Sequence, residues 1–164
     1  MLAQKIKVLI ADDHIIFRRG LKMLLASIDG IELVGEAENG LDLLAVAGRY
    51  TPDVFLIDIS MPVMDGVTAA EKIGKIKPLP IVLVTANTES ETIERARLAG
   101  VMNYVVKPVR AEQLFAAVDL AIHQFVELSS LREEVSQLKE TLETRKVIDR
   151  AEGVLIKRGM DEPQ

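Results

Sequence analysis

Three carboxylates, a hydroxyl and an ammonium stand where apolar runs of this chain give way to turns. Residues 7–11 lead into Asp12-Asp13, residues 54–57 into Asp58, residues 81–84 into Thr85, and residues 103–106 into Lys107. Brought to one edge, Asp12, Asp13 and Asp58 would concentrate negative charge at a cost that a cation offsets. All-oxygen ligation suits Mg²⁺, which takes one or two carboxylates, a backbone carbonyl and waters. Such a site draws a phosphoryl group. Asp58 could attack its phosphorus to give an aspartyl phosphate, with the metal, Lys107 and Thr85 stabilising charge on the equatorial oxygens.

Each residue also has a plain structural use. Asp58 could be a polar strand end, Asp13 a helix cap, Lys107 a solvated charge, Thr85 a β-branched strand residue and Tyr104 half-buried packing. What favours the chemical reading is joint occurrence, since separate strand ends in the right order each carry a required group.

Positioning those groups requires the runs to be parallel strands of one sheet. Residues 53–66 are the centre of this arrangement: a continuous apolar run, as expected of a strand covered on both faces, ends in Asp58. Pro62 and the pair Asp65-Gly66 then force a turn before helical sequence resumes at Val67. Strands are also expected at 7–11, 31–37, 81–86 and 103–106, and helices at 14–26, 41–47, 67–76 and 90–99 with Gly100 as a C-cap. Repeated βα alternation with right-handed crossovers predicts a doubly wound, five-stranded parallel sheet, (βα)5. Its carboxyl edge is the ligand-binding edge of open α/β sheets.

The 164 residues suffice for one ordinary domain and an appendage, and 49% hydrophobic with 27% charged residues is a globular composition. No Cys is present, so disulfides and thiolate metal sites are excluded, and two separated histidines, His14 and His123, make a poor zinc site. No signal-peptide layout opens the chain, and no apolar segment approaches the ~20 residues that span a bilayer, so a cytoplasmic location is expected. A net charge of −5 argues against coating nucleic acid by bulk electrostatics.

From 111 to about 158 there is no Pro and only Gly153, and a single helix of that length would reach ~72 Å. Leu114, Ala117, Val118, Ala121 and Phe125 are expected to pack as the fifth helix of the domain. Beyond them Leu128, Leu131, Val135, Leu138 and Leu142 follow a 3-4-3-4 spacing, a coiled-coil seam of about two heptads that predicts a homodimer. The alternation fails at Arg145, where Val147, Ile148, Ala151, Val154 and Leu155 drift to another face.

Residues 5 to about 128 resemble a receiver domain of bacterial two-component response regulators. The likeness rests on Asp12-Asp13, on Leu56-Ile57-Asp58 with the turn 61–66, on Thr85-Ala86 and on Tyr104-Val105-Val106-Lys107-Pro108. It implies a flavodoxin-like fold, Mg²⁺ held by Asp12, Asp13, Asp58 and the backbone carbonyl of Ser60, and phosphorylation of Asp58 by a histidine kinase. It also implies that Thr85 and Tyr104 couple phosphorylation to the face of the fourth helix, fifth strand and fifth helix, and that Ser60 and Asn87 tune phosphate lifetime. Val109 stands where many members have Phe. Residues 142–156 resemble the opening helix of an ANTAR domain, an RNA-binding antitermination output. With the sequence ending at Gln164, that output is expected to be incomplete here. Residues 130–164 carry seven Lys or Arg against eight Asp or Glu, so bulk charge lends RNA binding no support, although Arg145, Lys146, Arg150, Lys157 and Arg158 could form a basic face.

The resulting expectation is a receiver domain over 1–128 and a coiled-coil helix opening an ANTAR-type domain over 129–164. The function expected is phosphorylation-controlled transcription antitermination, with no membrane partner and no enzymatic activity beyond the receiver's own phosphoryl transfer and dephosphorylation. Three rivals stand against it. An aspartyl-phosphate phosphatase needs a second Asp two residues after the nucleophile, where this chain has Ser60. A dinucleotide-binding domain needs a Gly-rich turn where this chain has Asp12-Asp13-His14. A phosphate-independent dimerisation scaffold with a vestigial pocket would be insensitive to Asp58→Asn.

Overall fold

Strand and helix alternate along the chain as β1 (Ile6–Ala11), α1 (Ile15–Ala26), β2 (Ile31–Ala37), α2 (Gly40–Ala47) and β3 (Val54–Asp58). They continue as α3 (Gly66–Ile76), β4 (Ile81–Thr85), α4 (Ser90–Leu98), β5 (Asn103–Val106) and α5 (Ala111–Lys157). This is a computed structural model that describes residues 4–86, 90–101 and 103–157, with side chains described to residue 152. All five strands are parallel, in the order β2-β1-β3-β4-β5. The doubly wound, flavodoxin-like sheet expected from the alternation is the one observed. Element ends differ from the sequence reading by a residue at most. Gly40 and Gly66 open their helices because the preceding Asn39 and Asp65 accept the amides of Asp42 and Thr68 and so take the capping positions.

Side-chain alternation along the strands divides the core into two layers. Leu9, Phe55, Ile57, Ile81 and Leu83 pack with Leu43, Val67, Ala70 and Ile73 from α2 and α3, and with Ala96 of α4. Val8, Ile10, Val54, Leu56, Val82 and Val84 pack on the opposite face with Leu21 and Leu25 of α1 and Leu114, Ala117, Val118 and Ala121 of α5. Every residue of β3 and β4 is buried, which explains their unbroken apolar sequences.

The chain separates into two compact units, Met1–Phe125 and Val126–Gln164. In the second unit the helix is exposed from Ser129 to Glu152, Leu131, Val135, Leu138 and Leu142 included, while Leu128 is half-buried. One sequence expectation needs correction. By length and composition alone α5 is long and apolar enough to cross a membrane. The sequence reading found no apolar segment approaching the ~20 residues that span a bilayer. Its apolar residues Leu114, Ala117, Val118 and Ala121 are buried in the core of the first unit, the position of an ordinary core helix.

Candidate functional site

Between β1 and β3 the sheet reverses its winding, and the crevice outside the strand carboxyl ends at such a point is where this architecture binds ligands. β1 hands over to Asp12 and β3 ends in Asp58, 1% and 3% exposed. Asp12, Asp13, His14 and Asp58 each bring one potential ligand atom to within 4.8 Å of the others.

The cation beside them comes from the end of β5. Lys107 Nζ lies 3.3 Å from Asp12 Oδ2 and 3.4 Å from Asp58 Oδ1, so one ammonium is shared by two carboxylates. It sits 4.0 Å from the centroid of the Phe17 ring, a cation–π contact that holds the long side chain in place. The Lys107 amide donates to the Thr85 carbonyl at 2.8 Å, tying the ends of β4 and β5 together. Asp12 is fixed from both sides: its Oδ1 accepts the His14 amide at 2.8 Å, and its carbonyl accepts Arg18 Nη1 at 2.6 Å.

Electrostatically the pocket is undercompensated. Burial pushes the Asp58 carboxyl up from 3.8 to about 6, the neighbouring Asp12 charge adds to the rise, and Lys107 opposes it. Among the described residues, Asp58 Oδ2 and Asp13 Oδ1 are buried with no hydrogen-bond partner. His14 Nδ1 is 3.2 Å from Asp13 Oδ1 without forming such a bond. Buried carboxylate oxygens without a hydrogen-bond partner are costly, and the three carboxylates of this cluster fit a hard divalent cation.

The loop after Asp58 is packed against the Asp58 backbone. The Gly66 amide donates to the Ile59 carbonyl at 2.8 Å, and a Cβ at Gly66 would come within 2.1 Å of the Asp58 carbonyl oxygen. Only glycine permits that approach. Asp65 accepts the Thr68 amide at 2.8 Å and pairs with Arg95 at 3.3 Å. Val63 is left-handed, with φ of 69°, a strained conformation for a β-branched residue.

The structure thus brings Asp12, Asp13, Asp58 and Lys107 into one pocket and places Thr85, 3% exposed, at the adjoining strand end. Ser60 lies exposed two residues beyond Asp58, and Tyr104 is 41% exposed on β5. Asn87 and Arg158 lie outside the described residues, and the Lys157 side chain is not described. Asp13 does not cap α1: the capping residue is His14, with no side-chain hydrogen bond. Phe17 and Arg18 were not singled out from sequence, and His14 was weighed there only as a zinc ligand. Arg18 left a signal, for it precedes Leu21 and Leu25 by three and seven residues and so falls on the buried face of α1.

A family model described as the response regulator receiver domain matches residues 8–119. The transcriptional regulatory protein PdtaR of Mycobacterium tuberculosis is 42% identical over 158 residues, covering 96% of this chain and 77% of that protein. The transcriptional regulatory protein YdfI of Bacillus subtilis is 37% identical over 116 residues, 71% of this chain and 54% of its own length. Among solved structures, the receiver domain of the putative response regulator NarL from Mycobacterium tuberculosis superposes with a TM-score of 0.68 at 30% identity, covering 73% of this chain and 98% of that one.

Proposed function

This chain belongs to the response regulator receiver family, and we propose that it is a phosphorylation switch in which Asp58 accepts a phosphoryl group from a histidine kinase. The observation that carries this reading is Asp58 itself, buried, with Oδ2 unpaired and a shared ammonium 3.4 Å from Oδ1. With its carboxyl pushed up only to about 6, Asp58 is mainly ionised at neutral pH and keeps its nucleophilic lone pair. In the transfer an Asp58 oxygen forms a bond to phosphorus as the phosphorus–nitrogen bond of a phosphohistidine breaks, and the imidazole nitrogen leaves with the bonding pair. Lys107 faces the acceptor throughout and offsets charge on the phosphoryl oxygens.

Asp12, Asp13 and Asp58 with the Ser60 carbonyl are the donor set for Mg²⁺, and the two unpaired carboxylate oxygens support that assignment. Bound there, the ion supplies neutralisation of the phosphoryl charge. The Thr85 hydroxyl at the end of β4 then meets the phosphorylated Asp58, and Tyr104 on β5 relays the change to the α4-β5-α5 face.

The readout is control of transcription. Likeness to PdtaR over 96% of this chain supports a transcriptional role, and the resemblance of residues 142–156 to an ANTAR opening helix supports an RNA-binding antitermination output. The apolar seam from Leu128 to Leu142, exposed from Leu131 onward, supports a homodimer. Incubation with acetyl phosphate and Mg²⁺ followed by intact mass measurement tests the switch. The wild-type chain gains one phosphoryl group and Asp58→Asn gains none; equal labelling of the two would refute Asp58 as acceptor.

A further inference from the structure

The charges flanking the exposed seam of the second unit carry directional information. With Leu128, Val135 and Leu142 at a positions and Leu131 and Leu138 at d positions, the flanking g positions are Glu127 and Glu134 and the flanking e positions are Arg132 and Lys139. The g residues Glu127 and Glu134 are acidic and the third, Thr141, is neutral, while both e residues are basic. Leu131, Val135, Leu138 and Leu142 are 49% to 64% exposed, so among the described residues these four find no cover, while Leu128 is half-buried. Among the described residues no ion pair involves Glu127, Arg132, Glu134 or Lys139.

We propose that residues 127–142 pair with a second copy of this chain as a parallel, in-register coiled coil whose direction is set by these charges. In a parallel pair a g residue faces the e residue five positions later on the other helix. Glu127 then meets Arg132 of the partner copy, Glu134 meets Lys139 of the partner copy, and both contacts recur by two-fold symmetry. An antiparallel pair brings g against g and e against e, which places Glu beside Glu and Arg or Lys beside Lys. Like charges in those positions oppose that arrangement. The partner is therefore an identical chain, because the same helix supplies both halves of each ion pair.

The same register explains why the apolar alternation stops. Continued past Leu142, the d position is Arg145 and the next a position is Asp149. In a parallel pair Arg145 would face Arg145 and Asp149 would face Asp149 across the axis, so the seam closes at Leu142 and the helices part. Val147 and Ile148, 63% and 51% exposed, then lie outside the paired segment and are available to whatever follows.

The inference rests on the homodimer reading above and refines it, and the tests separate the two. The chain lacks cysteine, so Leu131→Cys and Leu138→Cys can be made singly in the full chain and oxidised. A parallel, in-register pair links each variant to itself. An antiparallel pair has one crossing point and cannot bring both positions to self-contact, so self-linking of only one variant, or of neither while the chain is dimeric, overturns the proposal.

Charge is tested by light scattering, with and without beryllofluoride. Glu127→Lys with Glu134→Lys should raise the dimer dissociation constant by roughly tenfold or more, as should Arg132→Glu with Lys139→Glu, while a mixture of the two double variants regains dimer. Dimers of unchanged strength in both double variants would refute the role of charge and leave the homodimer reading standing. A wild-type chain that stays monomeric under both conditions would overturn the homodimer and this proposal together, with phosphorylation of Asp58 unaffected.

Discussion

Removing the charge of Asp58 should stabilise the metal-free protein. The Asp58 carboxyl is pushed from 3.8 to about 6, first by burial and then by Asp12. Between those two values the folded state holds a proton that the unfolded chain releases, so stability falls as pH rises through that window. The gap corresponds to about 3 kcal/mol, fully present as a penalty above pH ~7 and absent below the unfolded value. Asn has nearly the shape of a protonated Asp and does not titrate. Asp58→Asn should therefore gain up to about 3 kcal/mol at neutral pH, a rise in melting temperature on the order of 10 °C, and nothing near pH 4. The assay is urea denaturation in chelator at both pH values. Mg²⁺ added back should then stabilise the wild-type chain more than the variant, which lacks one of the carboxylates proposed to hold the ion. An Asn variant with the same advantage at both pH values, or with none at neutral pH, would refute the account of an undercompensated carboxylate.

Gly66→Ala forces a Cβ to within 2.1 Å of the Asp58 carbonyl oxygen and should cost about 3 kcal/mol by overpacking, with slowed phosphorylation; an unchanged melting temperature would contradict that contact. Arg18→Met leaves the Asp12 carbonyl without its 2.6 Å donor and should lose roughly 2 kcal/mol in urea denaturation. Lys107→Met removes the charge that opposes the rise in the Asp58 pKa, so the titration of Asp58, followed by NMR, should move above about 6. The rate of phosphoryl transfer should fall about 100-fold in that variant; a faster rate would count against Lys107 as the charge partner.

The parallel sheet was legible because β3 and β4 are buried on both faces and so write themselves as unbroken apolar runs, each closed by a polar group at the edge. Asp12, Asp58, Thr85 and Lys107 were visible for the same reason. Phe17 was not, because its contribution depends on which side of α1 meets the end of β5, a tertiary relation that no local spacing states. The spacing of Arg18 from Leu21 and Leu25 put it on the buried face without naming its partner, the Asp12 carbonyl. The shared position of Lys107 between two carboxylates was equally hidden, as was the near approach of Gly66 to the Asp58 carbonyl. In the sequence Gly66 reads only as half of a turn dipeptide. The left-handed Val63 left no signal, since nothing marks a valine for positive φ.

The two-layered core also limits how this protein can diverge. Val54 and Leu56 face one layer, Phe55 and Ile57 the other, and Asp58 follows in the phase of Val54 and Leu56, on the side where Lys107 rests over Phe17. Deleting one residue from β3 would invert that phase, exchanging the two layers and turning the Asp58 carboxylate away from its lysine. Deleting two would keep the phase but draw Asp58 back from the edge by about 6.6 Å. Neither is survivable by small adjustments. The helices and connections can change length while β3 cannot, so descent should leave the distance from Val54 to Asp58 fixed and record its insertions elsewhere.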